Sequence, residues 1–175
     1  TIMHNYTILS GKEVSKHVYR VLQERVDLLL KNNIQPGLAA VLVGENPASK
    51  IYINMKTKTF HKLGLKTETF TLSAECSQNE LIQVIEKINH DYSFHGILVQ
   101  LPLPNHIDSK SIIKSILPEK DVDGFHPENA GLLSIGSPRF IPCTPKGVMR
   151  IFEHYKIDLN GKHVVILGRS NIVGR

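Results

Sequence analysis

Two apolar runs limit what this chain can fold into. GLAAVLVG (residues 37–44) contains no polar side chain, and GILVQLPLP (residues 96–104) contains one before its prolines. A strand built from such a run cannot show either face to water, so it belongs inside a sheet covered on both sides. Sheets of that kind are parallel, and parallel neighbours need crossover helices. The rest of the chain supplies them. Val14, Val18, Val21, Leu22, Val26, Leu29 and Leu30 recur at helical spacing behind a capping-box pattern, Ser10 and Glu13, and this helix is predicted to end near Asn32 or Asn33. Asn46 and Pro47 mark a turn, residues 49–63 read as a helix, and Gly64 suits its C-terminal cap. Residues 66–72 alternate and are rich in threonine, the pattern of another strand. Ser77 and Glu80 repeat the capping box ahead of an amphipathic helix reaching His90.

After the second apolar run, Pro102 and Pro104 stop further pairing. Asp108 caps a short helix to Leu117, residues 118–129 form a long polar turn, and residues 129–134 form a short helix. Thr144 followed by Pro145 reads as N-cap and first turn of a helix to Tyr155, Asn160 and Gly161 make a turn, and residues 163–167 make a last strand. The pattern predicts an α/β fold. Residues 1–143 form a three-layer domain on a mostly parallel sheet, and residues 144–175 form a connecting helix with the first strand and turn of a second domain.

Composition narrows the function. The chain is 41% hydrophobic and 21% charged, a globular balance, and no run approaches the roughly 18 apolar residues of a membrane span, so no membrane is expected. Residues 1–10 lack the basic region and apolar run of a secretory leader. Cys76 and Cys143 stand in unrelated contexts, giving neither a disulfide framework nor a zinc pattern and fitting a reducing cytoplasm. The excess of five positive charges, 21 Lys and Arg against 16 Asp and Glu, is spread along the chain without interleaved aromatics. That suits an anionic substrate or cofactor better than nucleic acid, and no nucleic acid is expected.

In open α/β sheets, sites form beyond the carboxyl ends of the strands. Three segments fall there. In GENPASKIYINMK (residues 44–56), Tyr52 and Lys56 lie four apart and share one helix face. The ring offers a stacking surface, and a lysine in a partly desolvated cleft moves protons. An ordinary solvated face would carry the same pair. Gln100 ends an otherwise apolar strand, where it either points into the cleft or caps an edge hydrogen bond. In PEKDVDGFHPEN (residues 118–129), Asp121 and Asp123 flank Val122, so an extended chain sends one into the cleft and the other to solvent. The D-x-D-G sequence lacks the later ligands of a calcium loop, and His126 has no second ligand at metal spacing, so no metal is expected. The tail, VVILGRSNIVGR (residues 164–175), resembles the dinucleotide turn G-x-G-x-x-G, with Ser170 at the middle glycine and Gly174 displaced by one place. Gly168, Arg169 and Ser170 are its candidate cofactor contacts, and Arg169 with Ser170 suits a ribose phosphate, favouring NADP.

Taken in order, S-x-x-Y-x-x-x-K (Ser49, Tyr52, Lys56), GILVQLPLP, P-x-K-D-V-D-G-F, P-C-T-P-x-G and G-R-S-x-x-V-G resemble the bifunctional methylenetetrahydrofolate dehydrogenase/methenyltetrahydrofolate cyclohydrolase family, the FolD-type enzymes. The resemblance runs from about Gly11 to the last residue. It implies a first domain that binds folate, a Rossmann-type second domain that binds NADP, and an active site between them. It implies that Lys56 transfers the proton, that Gln100 hydrogen-bonds Lys56, and that Tyr52 packs on the aminobenzoyl group. Asp123 would anchor the pterin, Val99 and Leu101 would line the pocket, and Arg169 and Ser170 would contact NADP. The implied reactions are hydride loss from methylene-tetrahydrofolate and hydrolysis of the resulting methenyl cation to formyl-tetrahydrofolate. The implied setting is a cytoplasmic homodimer of one-carbon metabolism. A two-domain dehydrogenase of amino or keto acids shares the plan but lacks the Y-x-x-x-K and Q-L-P-L-P pairing; a non-catalytic folate-binding fragment is the remaining alternative. The family pattern continues with a Pro, a P-G-G-V-G-P-x-T motif and a final helix, none of which occurs here. The chain is therefore expected to be the N-terminal portion of such an enzyme, without dehydrogenase activity by itself.

Overall fold

The computed structural model describes residues 7–170. β1 (Gly37–Val43) is the centre of a parallel sheet of order β2-β1-β3, flanked by β2 (Lys66–Leu72) and β3 (Gly96–Val99). α2 (Pro47–Lys62) carries the chain from β1 to β2, and α3 (Gln78–Asn89) carries it back past β1 to β3. The two crossovers run in opposite directions along the sheet, so right-handed connections put α2 and α3 on opposite faces. The pleat of β1 sorts its side chains to match. Ala39, Val41 and Val43 join Leu81 and Ile85 of α3, whereas Leu38 and Ala40 join Ile53 of α2. Every residue of β1 is therefore buried, the three-layer arrangement that its unbroken apolar run demands.

Around this unit stand α1 (Gly11–Lys31), α4 (Ser109–Ser115), α5 (Pro127–Ser134) and α6 (Cys143–His154). Ile112 of α4 extends the α3-side core. α6 lies against α1, with Val14, Val18 and Leu22 of α1 facing Arg150 and His154 of α6 across a shallow groove.

Local signals succeed where local chemistry is enough. The Ser77–Glu80 capping box forms in full, and Gly64 ends α2 at a φ of +77°. Asn46, read as a turn residue, is also the N-cap of α2, its side chain accepting from Ser49 N–H at 3.1 Å. Three expectations change. The Ser10 side chain makes no cap bond; Ser10 N–H instead donates to the Tyr155 hydroxyl at 2.8 Å, and that hydroxyl donates to Glu13 at 3.0 Å. α6 begins at Cys143 behind Pro142, one residue before the predicted Thr144 cap, and has no side-chain cap bond. Residues 163–167 form no strand, and Val164, Val165, Ile166 and Leu167 are exposed. A parallel strand takes its hydrogen bonds from neighbours, and the described residues provide none beside it.

Candidate active site

The carboxyl ends of β1 and β3 open on the side where α2 begins. Gln100 N–H donates to the Val41 carbonyl at 2.9 Å, continuing the β3–β1 ladder one residue past the strand. Leu98 faces α2, and the alternation puts Gln100 on that same face, toward the helix that carries Tyr52 and Lys56. Its amide has one orientation. Nε2 donates to the Leu101 carbonyl at 2.7 Å, which turns Oε1 the other way; Oε1 is buried and has no partner among the described residues. An acceptor in that state calls for a cationic or N–H donor. Lys56 is half-buried on the facing helix and makes no hydrogen bond with Gln100 here.

Tyr52 stands one turn before Lys56 and is 58% exposed, leaving its ring free to stack. Ser49, a further turn back, is buried. Val99 lies in the α3-side core, so its side chain is directed away from α2. Leu101 lines a neighbouring cavity of about 690 Å³ with Gly124, Pro142 and Ser170.

Asp121 and Asp123 sit on a turn, not an extended strand, closed by the Gly124 N–H bond to the Asp121 carbonyl at 3.1 Å with Gly124 at a φ of +70°. The solvent-facing role read for one aspartate is corrected: Asp121 is 2% exposed, its carboxylate held by His126 N–H and the Asn129 amide at 2.7 and 2.8 Å. Asp123 makes no hydrogen bond among the described residues. Burial pushes its carboxyl above the usual range, the Lys56 charge pulls it back, and Asp121 adds to the rise. Lys56 and Asp123 are thus brought into one electrostatic field from elements far apart in sequence.

The same field includes a residue that no motif reading assigned a role. Cys143 opens α6, and partial desolvation of its thiol together with the Asp123 charge raises its pKa while Lys56 and Lys146 oppose the rise. It arrives there because Phe140 and Pro142 lean on Gly124, beside Asp123. The signal was present in the P-C-T-P motif, but nothing local ties it to the distant lysine.

The tail is partly described. Gly168 has a φ of +144° with open space where a side chain would stand, Arg169 is exposed, and Ser170 borders the cavity next to Leu101. The end of the dinucleotide motif, residues 171–175, lies outside the described residues. No helix among the described residues is long and apolar enough to cross a membrane.

The family model for the tetrahydrofolate dehydrogenase/cyclohydrolase catalytic domain matches residues 9–123, and that for the NAD(P)-binding domain of the same family matches residues 142–175. The chain belongs to this family. Among curated relatives, the bifunctional protein FolD of Enterococcus faecalis is 49% identical over 97% of this chain and 60% of its own length. That of Streptococcus agalactiae is 52% identical over 96% of this chain and 60% of its own. The FolD crystal structure from Campylobacter jejuni superposes with a TM-score of 0.93 at 48% identity, covering 96% of this chain and 60% of that one. Trypanosoma brucei FolD, solved with NADP and an inhibitor, gives 0.91 at 34% identity over 96% of this chain and 58% of that one. The chain therefore spans about 60% of the length of the relatives it matches.

Proposed function

We propose that this chain supplies the folate-binding catalytic part of an NADP-dependent enzyme that oxidises methylene-tetrahydrofolate to methenyl-tetrahydrofolate and hydrolyses the product to formyl-tetrahydrofolate. The observations that support the reading are the buried Oε1 of Gln100, which has no partner among the described residues and lies on the α2 side of the sheet, and the charge of Lys56 acting on Asp123. Hydrolysis of a cyclic cation needs a group that takes a proton from water and returns it to the departing nitrogen, and Lys56 is the base within reach. Gln100 Oε1 would accept from the Lys56 amine and orient it, and Tyr52 would stack on the aminobenzoyl ring. Asp123 would accept from the pterin amino and ring N–H groups, the pairing that a carboxylate makes well when partly desolvated. Val99 and Leu101 would shape the floor from the core side and the cavity side.

The residues present fit a phosphorylated dinucleotide: a glycine turn with open space, followed by an arginine and a hydroxyl. Gly168, Arg169 and Ser170 would hold NADP, which when bound supplies the hydride acceptor. In this reading residues 1–143 are the folate domain and residues 144–175 begin the cofactor domain, a boundary within two residues of the start of the NAD(P)-binding match at residue 142. The complete enzyme is read as a cytoplasmic homodimer.

The test is Lys56→Ala in the full-length enzyme. Loss of methenyl-tetrahydrofolate hydrolysis with folate binding retained is expected; hydrolysis at the parent rate would remove Lys56 from the mechanism. A non-catalytic folate-binding role predicts instead that the full-length parent binds folate without turnover.

A further inference from the structure

Asp123 owes its position to a hydrogen-bond chain that reaches its turn from α5, and we propose that Asn129 and Arg139 are positioning residues for pterin recognition. The proposal rests on the reading of Asp123 given above. Residues 118–126 are tied at three points. The Pro118 carbonyl accepts from Asn129 Nδ2 at 2.8 Å. The Lys120 carbonyl accepts from Ile97 N–H at 2.7 Å, which fixes the segment to β3. Asp121 Oδ2 accepts from the same Asn129 Nδ2 at 2.8 Å and from His126 N–H at 2.7 Å. Asp123 sits inside this bracket, so one side-chain amide grips the chain ahead of it on two residues.

That amide cannot turn over. Nδ2 faces two acceptors, and Oδ1 accepts from Arg139 NH1 at 2.9 Å; a flip would set acceptor against acceptor and donor against donor. Arg139 is steadied in turn by Glu128 at 2.8 Å. Asn129 is 0% exposed and Asp121 2%, so water does not compete for the bond between them. Asp121 is the network residue whose charge also acts on Asp123. A buried carboxylate is costly compared with an apolar side chain, and here it specifies one conformation of the turn that presents Asp123.

The test compares two ligands on the full chain: tetrahydrofolate, and p-aminobenzoylglutamate, which lacks the pterin. Asn129→Ser is expected to weaken tetrahydrofolate binding about tenfold and Arg139→Met about threefold, since the first loses the three bonds of the Asn129 amide and the second only the Arg139 bond to it. Neither should change affinity for p-aminobenzoylglutamate, and Arg139→Lys should recover part of the loss. Arg139 is partly exposed, so its variants report even if Asn129→Ser fails to fold. Equal losses for both ligands would overturn the proposal, because the network would then serve the fold at large. So would parent-like tetrahydrofolate binding by the Arg139 variants alongside a weakened Asp123→Asn control. An Asp123→Asn control that binds tetrahydrofolate like the parent would instead overturn the pterin assignment itself.

Discussion

The hydroxyl of Tyr155, the residue that follows α6, donates to the Glu13 carboxylate in the first turn of α1 at 3.0 Å and accepts from Ser10 N–H at 2.8 Å. It stands between the two groups that a capping box joins directly. α1 therefore gets its N-terminal cap from the far end of the chain, and α6, which begins at Cys143 in the cleft, is held at its other end by that bond.

Tyr155→Phe removes both bonds and keeps the ring. We expect a loss of about 1–2 kcal/mol in urea unfolding, the worth of a lost cap and one charge-assisted hydrogen bond. Glu13→Gln in the Tyr155→Phe background should add little, since its partner is already gone.

Gln100→Met keeps volume and removes the buried acceptor. In the full-length enzyme the cyclohydrolase rate is expected to fall about 10- to 100-fold with folate affinity nearly unchanged, the pattern of a lost proton-transfer contact. An equal rise in KM with kcat intact would place Gln100 in ground-state binding instead.

Asp123 makes stability and binding respond to pH with opposite signs. Burial raises its pKa above the unfolded value, so between the two values the folded chain holds more protons and stability falls as pH rises. The full cost persists above the folded pKa. Asp123→Asn should therefore raise Tm by about 1–3 °C at neutral pH and by nothing in acid below the usual carboxylate range. If Asp123 anchors the pterin as proposed, folate binding should strengthen in the parent as pH rises through the raised pKa and show no such inflection in Asp123→Asn.

Burial separates two isoleucine and leucine positions that look alike in sequence. Ile97 is 0% exposed in β3, and Leu167 is 96% exposed. Ile97→Ala should cost about 2–5 kcal/mol and Leu167→Ala less than about 0.5 kcal/mol in this chain, measured by denaturant titration.

Glycine at position 37 is required for a different reason. A Cβ there would collide with the Ser93 carbonyl oxygen, a backbone atom that cannot swing aside, and Gly37 N–H also donates to the His95 ring nitrogen at 3.1 Å. Gly37→Ala is expected to lower Tm by more than about 5 °C, whereas Gly147→Ala, with nothing near its Cβ, should not lower it.

What the sequence determined by itself was most of what period and local chemistry govern. The unbroken apolar run of β1 required a covered parallel sheet, Ser77 and Glu80 closed their own capping box, and Tyr52 and Lys56 shared a face because helical geometry puts them there. The ordered motifs were enough to reach the family. Tertiary structure alone decided which groups meet. It sent Asp121 inward to Asn129, put Asp123 and Cys143 under the influence of the Lys56 charge, and replaced the Ser10 cap with Tyr155. It also left residues 163–167 unpaired, because a strand's hydrogen bonds belong to its neighbours. The division has one physical cause. Helical and capping bonds join residues three or four apart, while burial, charge and sheet pairing depend on distances in space that no spacing along the chain records.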